Sequence, residues 1–326
     1  MAVAAMLALA GGALAQDGPP DKGPAGDYPS RTITIVAPSA PGGLFSLFAR
    51  LVGDQLEREL KASTIVENRP GAASAVGATY VQRAPADGYT LMIAASSALA
   101  INPTLRKSLP YDPDGFVPIA LIARVPQVLV VDASLPVKSL DDLVKLAKSR
   151  PEGLSYASAG HGTAQHLDAE MLKSALDIRL THVPHKGMVP ALASVAGGHV
   201  PMMFAVIPPS RSLVDAGKLR QLAVTTAERI DMLPNVPTMA ELGLKGFDAA
   251  TWFMLVAPAG TPQPVIGTLH KAMRGLTDAP GARQKLVNLG LLPVKSPPPQ
   301  ELKTFVQSEK ARFRKILQQA GLEGSQ

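Results

Sequence analysis

Cysteine is absent from this sequence of 326 residues. Disulfide bonds, thiolate metal sites, iron–sulfur clusters and a cysteine nucleophile are therefore excluded. Aromatic residues make up only 4% of the chain and charged residues 18%. The net charge is +6, from 32 Lys and Arg against 26 Asp and Glu, and the basic residues are scattered. Because nucleic-acid binding proteins usually cluster basic residues with aromatic ones, we expect no nucleic-acid partner.

Long apolar runs are also lacking after the N-terminus. The best later run, Val117–Val131, is interrupted by Arg124 and two prolines, and it is shorter than the roughly 20 residues that span a bilayer. Residues 1–15 are apolar and uncharged and end in Ala13-Leu14-Ala15, which is typical of a signal-peptide cleavage site. We predict a signal peptide cleaved after Ala15, a flexible tail over 16–27 and a soluble, exported protein. The alternative for residues 1–15 is a buried N-terminal helix.

Strand and helix patterns alternate along the rest of the chain. Thr32–Val36 alternates β-branched residues and predicts a strand. Apolar residues then recur every three or four positions over 44–60, which predicts an amphipathic helix. Ser139 with Asp142, and Thr238 with Glu241, are typical of capped helix starts. This order predicts an α/β fold of mainly parallel sheets with helices on both faces, and the length suits two domains.

Catalytic motifs are scarce. The sequence has no phosphate loop of the NTPase type, no H-E-x-x-H and no G-x-S-x-G. His161 and His166 are five residues apart, which places them on different faces of a helix, and His182 lies in a Val-Pro context. We therefore expect no metal site and no cofactor. The alternative is an exported hydrolase or lyase that uses Ser158 with His161 or His166. A scaffold module is a third class.

Two glycine-rich segments each lie between a predicted strand and a predicted helix. We call Ala37–Gly43 the first glycine loop and Ser158–Thr163 the second glycine loop. A helix that follows such a loop offers unpaired N–H groups and the positive end of its dipole. Glycine lets an anion approach that backbone closely. The loops are thus candidate carboxylate-binding sites; the alternative is that they are ordinary tight turns.

Ordered motifs over residues 28–321 resemble those of the Bug family, periplasmic solute receptors related to tripartite tricarboxylate transporters. In the first half they are Tyr28-Pro29-Ser30-Arg31, Ala40-Pro41-Gly42-Gly43, Val66-Glu67-Asn68-Arg69-Pro70-Gly71-Ala72, Ala86-Asp87-Gly88-Tyr89-Thr90-Leu91, Ile101-Asn102-Pro103 and Leu109-Pro110-Tyr111-Asp112-Pro113. In the second half they are Tyr156-Ala157-Ser158 through His166-Leu167, His182-Val183-Pro184-His185-Lys186-Gly187, Pro237-Thr238-Met239-Ala240-Glu241 and Ala257-Pro258-Ala259-Gly260-Thr261-Pro262. Their order and spacing together are specific.

The resemblance implies a two-lobed, periplasmic-binding-protein-like fold of the type II Venus-flytrap kind. Lobe 1 would comprise residues 28–127 and 251–326, and lobe 2 residues 128–250. The resemblance further implies a monomeric, non-enzymatic receptor that holds a small organic carboxylate between the lobes through both glycine loops. Its partner would be a membrane permease of the tripartite type.

Ligand-contacting positions follow from the loops and from the resemblance. The candidates are Gly42, Gly43, Leu44, Phe45, Ser46, Ser97, Ser158, Gly160, His161, Gly162, Thr163, Ala164, Lys186, Phe204 and Ala205. Acidic residues that the resemblance leads us to expect after Gly43 and at Ala205 are missing, so an ammonium group would lack compensation in a closed cleft. We therefore favour an apolar or aromatic mono- or dicarboxylate. The alternative for Leu44 and Phe45 is the buried stripe of the predicted helix.

Overall fold

A computed structural model describes residues 28–325, so the predicted signal peptide and tail lie outside the described residues. In this part of the chain the strands are β1 Ile33–Ala37, β2 Thr64–Asn68, β3 Thr90–Ala95, β4 Phe116–Val125, β5 Gln127–Asp132, β6 Leu154–Ser158, β7 Leu180–Pro184, β8 Met202–Val206, β9 Leu219–Val224, β10 Thr251–Pro258 and β11 Leu292–Pro293. The α-helices are α1 Leu44–Leu60, α2 Ala75–Gln82, α3 Asn102–Leu105, α4 Leu140–Ser149, α5 Ala164–Leu176, α6 Met188–Ala196, α7 Ile207–Asp215, α8 Gln263–Thr277, α9 Pro280–Asn288 and α10 Pro299–Gln319. Among these helices, none is both long and apolar enough to cross a membrane.

The strands form two separate sheets. The first has the order β11-β4-β10-β3-β1-β2, and the second has the order β7-β6-β8-β5-β9. The first sheet takes its strands from before residue 126 and after residue 250, and the second takes its strands from the segment between. A single residue, Pro126, separates β4 from β5, so the chain passes directly from one sheet to the other.

Two α/β sheets with helices on both faces confirm the predicted fold class, but the sheets are mixed rather than mainly parallel. β1 runs parallel to β2 and β3, and β6 runs parallel to β7 and β8. β10 is antiparallel to β3 and β4, and β5 is antiparallel to β8 and β9. A parallel neighbour requires a crossover segment, usually a helix. β4 and β5 follow each other without a helix, and each pairs only with antiparallel strands in its own sheet. The strands that link the two sheets therefore break the predicted alternation of strand and helix.

Alternation along each strand divides the core between the two faces of its sheet. Ile33 and Ile35 of β1 pack in a cluster with Phe48 of α1, whereas Val36 packs on the opposite face in a cluster with Trp252 of β10. Successive side chains of a strand point to opposite faces, so helices on both sides are needed to bury them. The α1 helix begins after Gly43 and therefore fixes the first glycine loop at an edge of this core.

The junction of the two sheets contains a buried carboxyl group. Asp168 of α5 is 3% exposed and accepts a hydrogen bond from Nε2 of Gln127, the first residue of β5. Burial raises the pKa of Asp168 well above its usual range, and the nearby charge of Arg312 on α10 opposes this rise. An acid with a raised pKa binds more protons in the folded than in the unfolded state. Its contribution to stability therefore falls as the pH rises.

We expect Asp168→Asn to remove this pH dependence. Above about pH 4, where unfolded Asp ionises, the free energy of unfolding of the wild type should fall relative to that of the variant. The fall is at most about 1.4 kcal/mol per pH unit and ends once the pH passes the folded pKa. Urea denaturation from pH 4 to pH 8, followed by far-UV circular dichroism, measures the difference. A difference that is constant over this range would contradict the buried, proton-binding carboxyl group.

Candidate functional site

The first glycine loop connects the end of β1 to the start of α1. Gly42 has a φ of +86°, a left-handed conformation that glycine adopts without strain. Gly43 precedes the helix in an extended conformation, and no side chain caps the helix start. Within residues 28–325, the N–H groups of Leu44, Phe45 and Ser46 have no hydrogen-bond acceptor. The first turn of α1 contains no acidic residue, so these donors and the helix dipole are available to an anion.

Asn68 holds the first glycine loop from the neighbouring strand. Its Nδ2 donates to the Ser39 carbonyl oxygen at 2.9 Å and to Ser46 Oγ at 2.7 Å. Asn68 ends β2 and lies beside Ala37, the last residue of β1, in the parallel register. The Ser46 side chain is buried, and its Oγ helps to fix the loop. Asn68 belongs to the motif Val66–Ala72, but its sequence context alone predicts no role in the site.

We expect Asn68→Ala to weaken carboxylate binding about tenfold while the protein stays folded. The two lost hydrogen bonds are each worth roughly 1 kcal/mol, and their loss frees the loop that positions the amide donors of α1. Isothermal titration with the carboxylate measures the affinity, and the melting temperature of the ligand-free protein shows whether the variant stays folded. Asn288→Ala, at the end of α9, is the matched control. Unchanged affinity in Asn68→Ala would show that Asn68 does not position the loop.

The second glycine loop connects β6 to α5 and is closely tied by its own hydrogen bonds. Gly160 and Gly162 have φ values of +131° and +71°. Thr163 Oγ1 donates to the Gly160 carbonyl oxygen at 2.7 Å, so the hydroxyl stabilises the loop and does not cap the helix. The Gly162 N–H donates to His166 Nδ1 at 3.2 Å. In the described part of the chain, the N–H groups of Ala164 and Gln165 have no acceptor.

Three histidines from different elements lie together behind this loop. His161 belongs to the loop, His166 to α5 and His182 to β7. The rings of His166 and His182 stack with centroids 4.2 Å apart, and His161 meets both edge-on. Burial lowers the pKa of His166, and it lowers that of His182 to about 3 with help from the neighbouring rings. The prediction that His161 and His166 are kept apart is wrong, because His161 precedes the helix and turns back toward it.

Comparison with known proteins identifies the group to which this two-sheet chain belongs. A family model described as the tripartite tricarboxylate transporter family receptor matches residues 48–322. The chain belongs to this family. Protein BugT of Bordetella pertussis is 32% identical to this tripartite-type receptor over 296 residues, which are 90% of both chains. Members of the family are periplasmic solute-binding receptors and not enzymes.

Solved structures agree with this family assignment. The structure of Rpa4515 from R. palustris with adipate is 37% identical to this receptor and has a TM-score of 0.81. The match covers 90% of this chain and 99% of that chain. MatC from Rhodopseudomonas palustris, with bound malate, is 32% identical with a TM-score of 0.76, and the match covers 89% of this chain and all of that chain.

The geometry around Ser158 agrees with a receptor and corrects the enzymatic alternative. Ser158 Oγ lies 2.6 Å from His182 Nε2, so its partner is neither His161 nor His166. Ser158 is fully buried, and the low pKa of His182 makes this ring a weak base. His182 Nδ1 has no hydrogen-bond partner among residues 28–325, so no described carboxylate orients the ring.

The remaining candidate residues of this tripartite-type receptor differ in their exposure. Leu44 and Phe45 are half-buried at the edge of the first-sheet core, where the Phe45 ring lies edge-on to Phe253 at 5.1 Å between centroids. Ser97 is half-buried after β3, and Lys186 is exposed before α6. Phe204 and Ala205 stay predictions without support from exposure. Both side chains are fully buried in the second-sheet core, because adjacent residues of β8 point to its two faces.

Proposed function

We propose that this receptor captures a small organic carboxylate between the first and second glycine loops and presents it for uptake or sensing. The observation that carries the proposal is the matched start of α1 and α5. Each helix begins directly after a glycine loop with unpaired N–H groups and with no acidic residue in its first turn. Two such donor sets hold a carboxylate without a lysine or an arginine.

The two sheets support a two-lobed arrangement with the ligand between the lobes. Lobe 1 would comprise residues 28–127 and 251–326, and lobe 2 residues 128–250. The direct connection through Pro126 and the return into β10 would act as the hinge. Closure about this hinge would exclude water and bring both glycine loops onto one carboxylate group.

The chemistry of the loops favours a ligand without an amino group. Residues 37–46 and 158–166 contain no Asp or Glu. An ammonium group held there would be buried without a counter-charge, which is costly. The exposed parts of Leu44 and Phe45 would contact an apolar chain or ring. The adipate and malate bound by the two related receptors are both dicarboxylates, which supports the same class for this chain.

Delivery to a membrane permease of the tripartite type is the expected use of the closed form. We further propose that the mature receptor acts in the periplasm as a monomer, after removal of residues 1–15. Capture at low concentration followed by release at a permease requires only one binding site and one hinge in each copy.

A melting-temperature screen tests the proposed ligand class. The panel comprises adipate, malate, benzoate, phthalate and the amino acids glutamate and leucine. A ligand present at 100 times its Kd stabilises the folded protein by about 2.7 kcal/mol. We expect this response with at least one of the four acids that lack an amino group, and none with the amino acids. A response to amino acids alone would overturn the proposed class, and a response to none of the six would count against carboxylate capture.

A further inference from the structure

The histidine cluster, defined as His161, His166 and His182, has the donor atoms of a metal site. One ring nitrogen from each residue lies within 4.8 Å of the others. Two imidazole ligands bound at about 2.0 Å in a tetrahedral site are roughly 3.3 Å apart. The limit of 4.8 Å on the distances between the three nitrogens therefore exceeds the distance in a formed site by about 1.5 Å. The lone pair of an imidazole nitrogen lies in the plane of its ring, so the stacked rings of His166 and His182 must tilt out of their parallel arrangement to share one ion. His161 is exposed and is free to rotate toward them.

His182 carries a buried nitrogen that nothing described satisfies. Ser158 Oγ lies 3.0 Å from the Gly160 carbonyl oxygen and 2.6 Å from His182 Nε2. The hydroxyl has only one proton, which it donates to the Gly160 carbonyl oxygen. In that arrangement His182 Nε2 carries the ring proton and donates it to Ser158 Oγ, so the lone pair of His182 Nδ1 is free. No group within residues 28–325 donates to this buried Nδ1 atom, and such an unpartnered atom requires an explanation.

His166 links the cluster to the second glycine loop. Its Nδ1 accepts the Gly162 N–H, so in the neutral ring Nε2 carries the proton. A metal ion bound through Nδ1 would replace this hydrogen bond. Binding through Nε2 would move the proton to Nδ1, which then could not accept. Either way, metal binding releases the Gly162 amide.

The surroundings of the histidine cluster leave room for a further ligand. The cluster opens on a cavity of about 720 Å³ that Glu170, Lys173 and the C-terminal residues Ala320, Leu322 and Ser325 also line. A fourth ligand would approach the ion from this cavity.

We propose that the histidine cluster binds one divalent transition-metal ion of the zinc, cobalt or nickel type, and that the bound ion frees the Gly162 amide for the carboxylate. Three imidazole nitrogens are a preferred donor set for these ions, and a position left open accepts an oxygen ligand. The metal site stands on the cluster alone. Its effect on carboxylate binding rests additionally on the proposed function.

Cobalt titration of tag-free, metal-stripped protein tests the metal site directly. We expect one Co²⁺ per chain and the visible absorption of a low-coordinate cobalt site. His161→Ala removes an exposed ligand with little effect on folding and should weaken Co²⁺ binding at least tenfold. His199→Ala, an exposed histidine outside the cluster, is the control and should bind Co²⁺ as the wild type does. Equal Co²⁺ affinity in His161→Ala and wild type, or no binding at all, would overturn the site.

Adipate titrations with and without Co²⁺ test the release of the amide. One additional charge-assisted hydrogen bond predicts an adipate affinity about tenfold higher in the metal-bound protein. The increase should vanish in His161→Ala. Co²⁺ binding with no change in adipate affinity would overturn the coupling while the metal site stands. If the protein binds adipate neither with nor without Co²⁺, adipate is not the ligand, the same two titrations are made with the acid that raises the melting temperature most in the screen, and the cobalt titration still decides the metal site.

Discussion

Gly43→Val is expected to abolish the rise in melting temperature that a bound carboxylate produces, while the free variant melts as the wild type does. Gly43 has a φ of −83°, which valine adopts easily, and an added Cβ would meet no atom closer than 3.7 Å. The branched side chain would instead occupy the space in front of the unpaired N–H groups of α1. At 100 times the wild-type Kd, the variant should lose most of the roughly 2.7 kcal/mol that the ligand contributes.

The matched control places the same change on the exposed face of another helix. Gly267 in α8 is exposed, and a Cβ there would meet no heavy atom within 4 Å, so Gly267→Val should keep the full response. Gly162→Val is a poorer test because Gly162 has a φ of +71°, a conformation that strains valine. If Gly43→Val binds the ligand as tightly as the wild type, the first glycine loop does not hold the carboxylate.

Local sequence patterns predicted the elements that depend on local chemistry. The three- and four-residue spacing of 44–60 corresponds to α1, and Ser139 caps α4 by accepting the Asp142 N–H at 3.1 Å. Thr238 and Glu241 also exchange both hydrogen bonds of a capping box, at 3.0 and 2.9 Å. Yet only turns follow them, because Gly243 and Gly246, both with positive φ, interrupt the segment. A cap therefore starts a helix only where the next residues can continue one.

The histidine cluster depends on the pairing of two strands, β6 and β7, that are separated in the sequence. The glycine loops were recognisable because glycine, turn and helix start are adjacent in the chain. The histidine cluster was not, since His182 reaches Ser158 and His166 through the parallel register of β6 and β7, which pairs Tyr156 with His182. A shift of one residue would turn His182 to the other face of the sheet. Spacing along one chain does not fix that register.

The burial of Phe204 and Ala205 is a second feature that the sequence alone did not predict. Resemblance placed these residues at the ligand, but their exposure depends on which helices cover the two faces of β8. Phe204 packs in a cluster with residues of α5, and Ala205 packs on the other face in a cluster with residues of α6, so neither side chain reaches the surface. The preference for a ligand without an ammonium group therefore rests on the glycine loops and not on position 205.

Trp252→Ala is expected to destabilise the protein by about 3–5 kcal/mol, the usual cost of truncating a large buried aromatic residue. Trp252 is 1% exposed in β10, its ring lies edge-on to Phe305 at 5.4 Å, and its indole N–H donates to Glu309 Oε2 at 2.8 Å. The truncation would leave a cavity and remove a partner of a mostly buried carboxylate. Urea denaturation followed by far-UV circular dichroism gives the shift, since the variant has no tryptophan to report by fluorescence.

Trp252→Phe separates the packing from the hydrogen bond. It keeps most of the ring volume and loses the N–H donor, so it should cost only about 1–3 kcal/mol. Tyr80→Ala, which truncates an aromatic residue that is 37% exposed, should cost less than either. Trp252 lies in the first-sheet core and joins β10 to α10 through Glu309. Trp252→Phe keeps the start of β10 packed, so it should bind the carboxylate with wild-type affinity. Wild-type stability combined with lost binding in Trp252→Ala would instead make the indole ring a ligand contact.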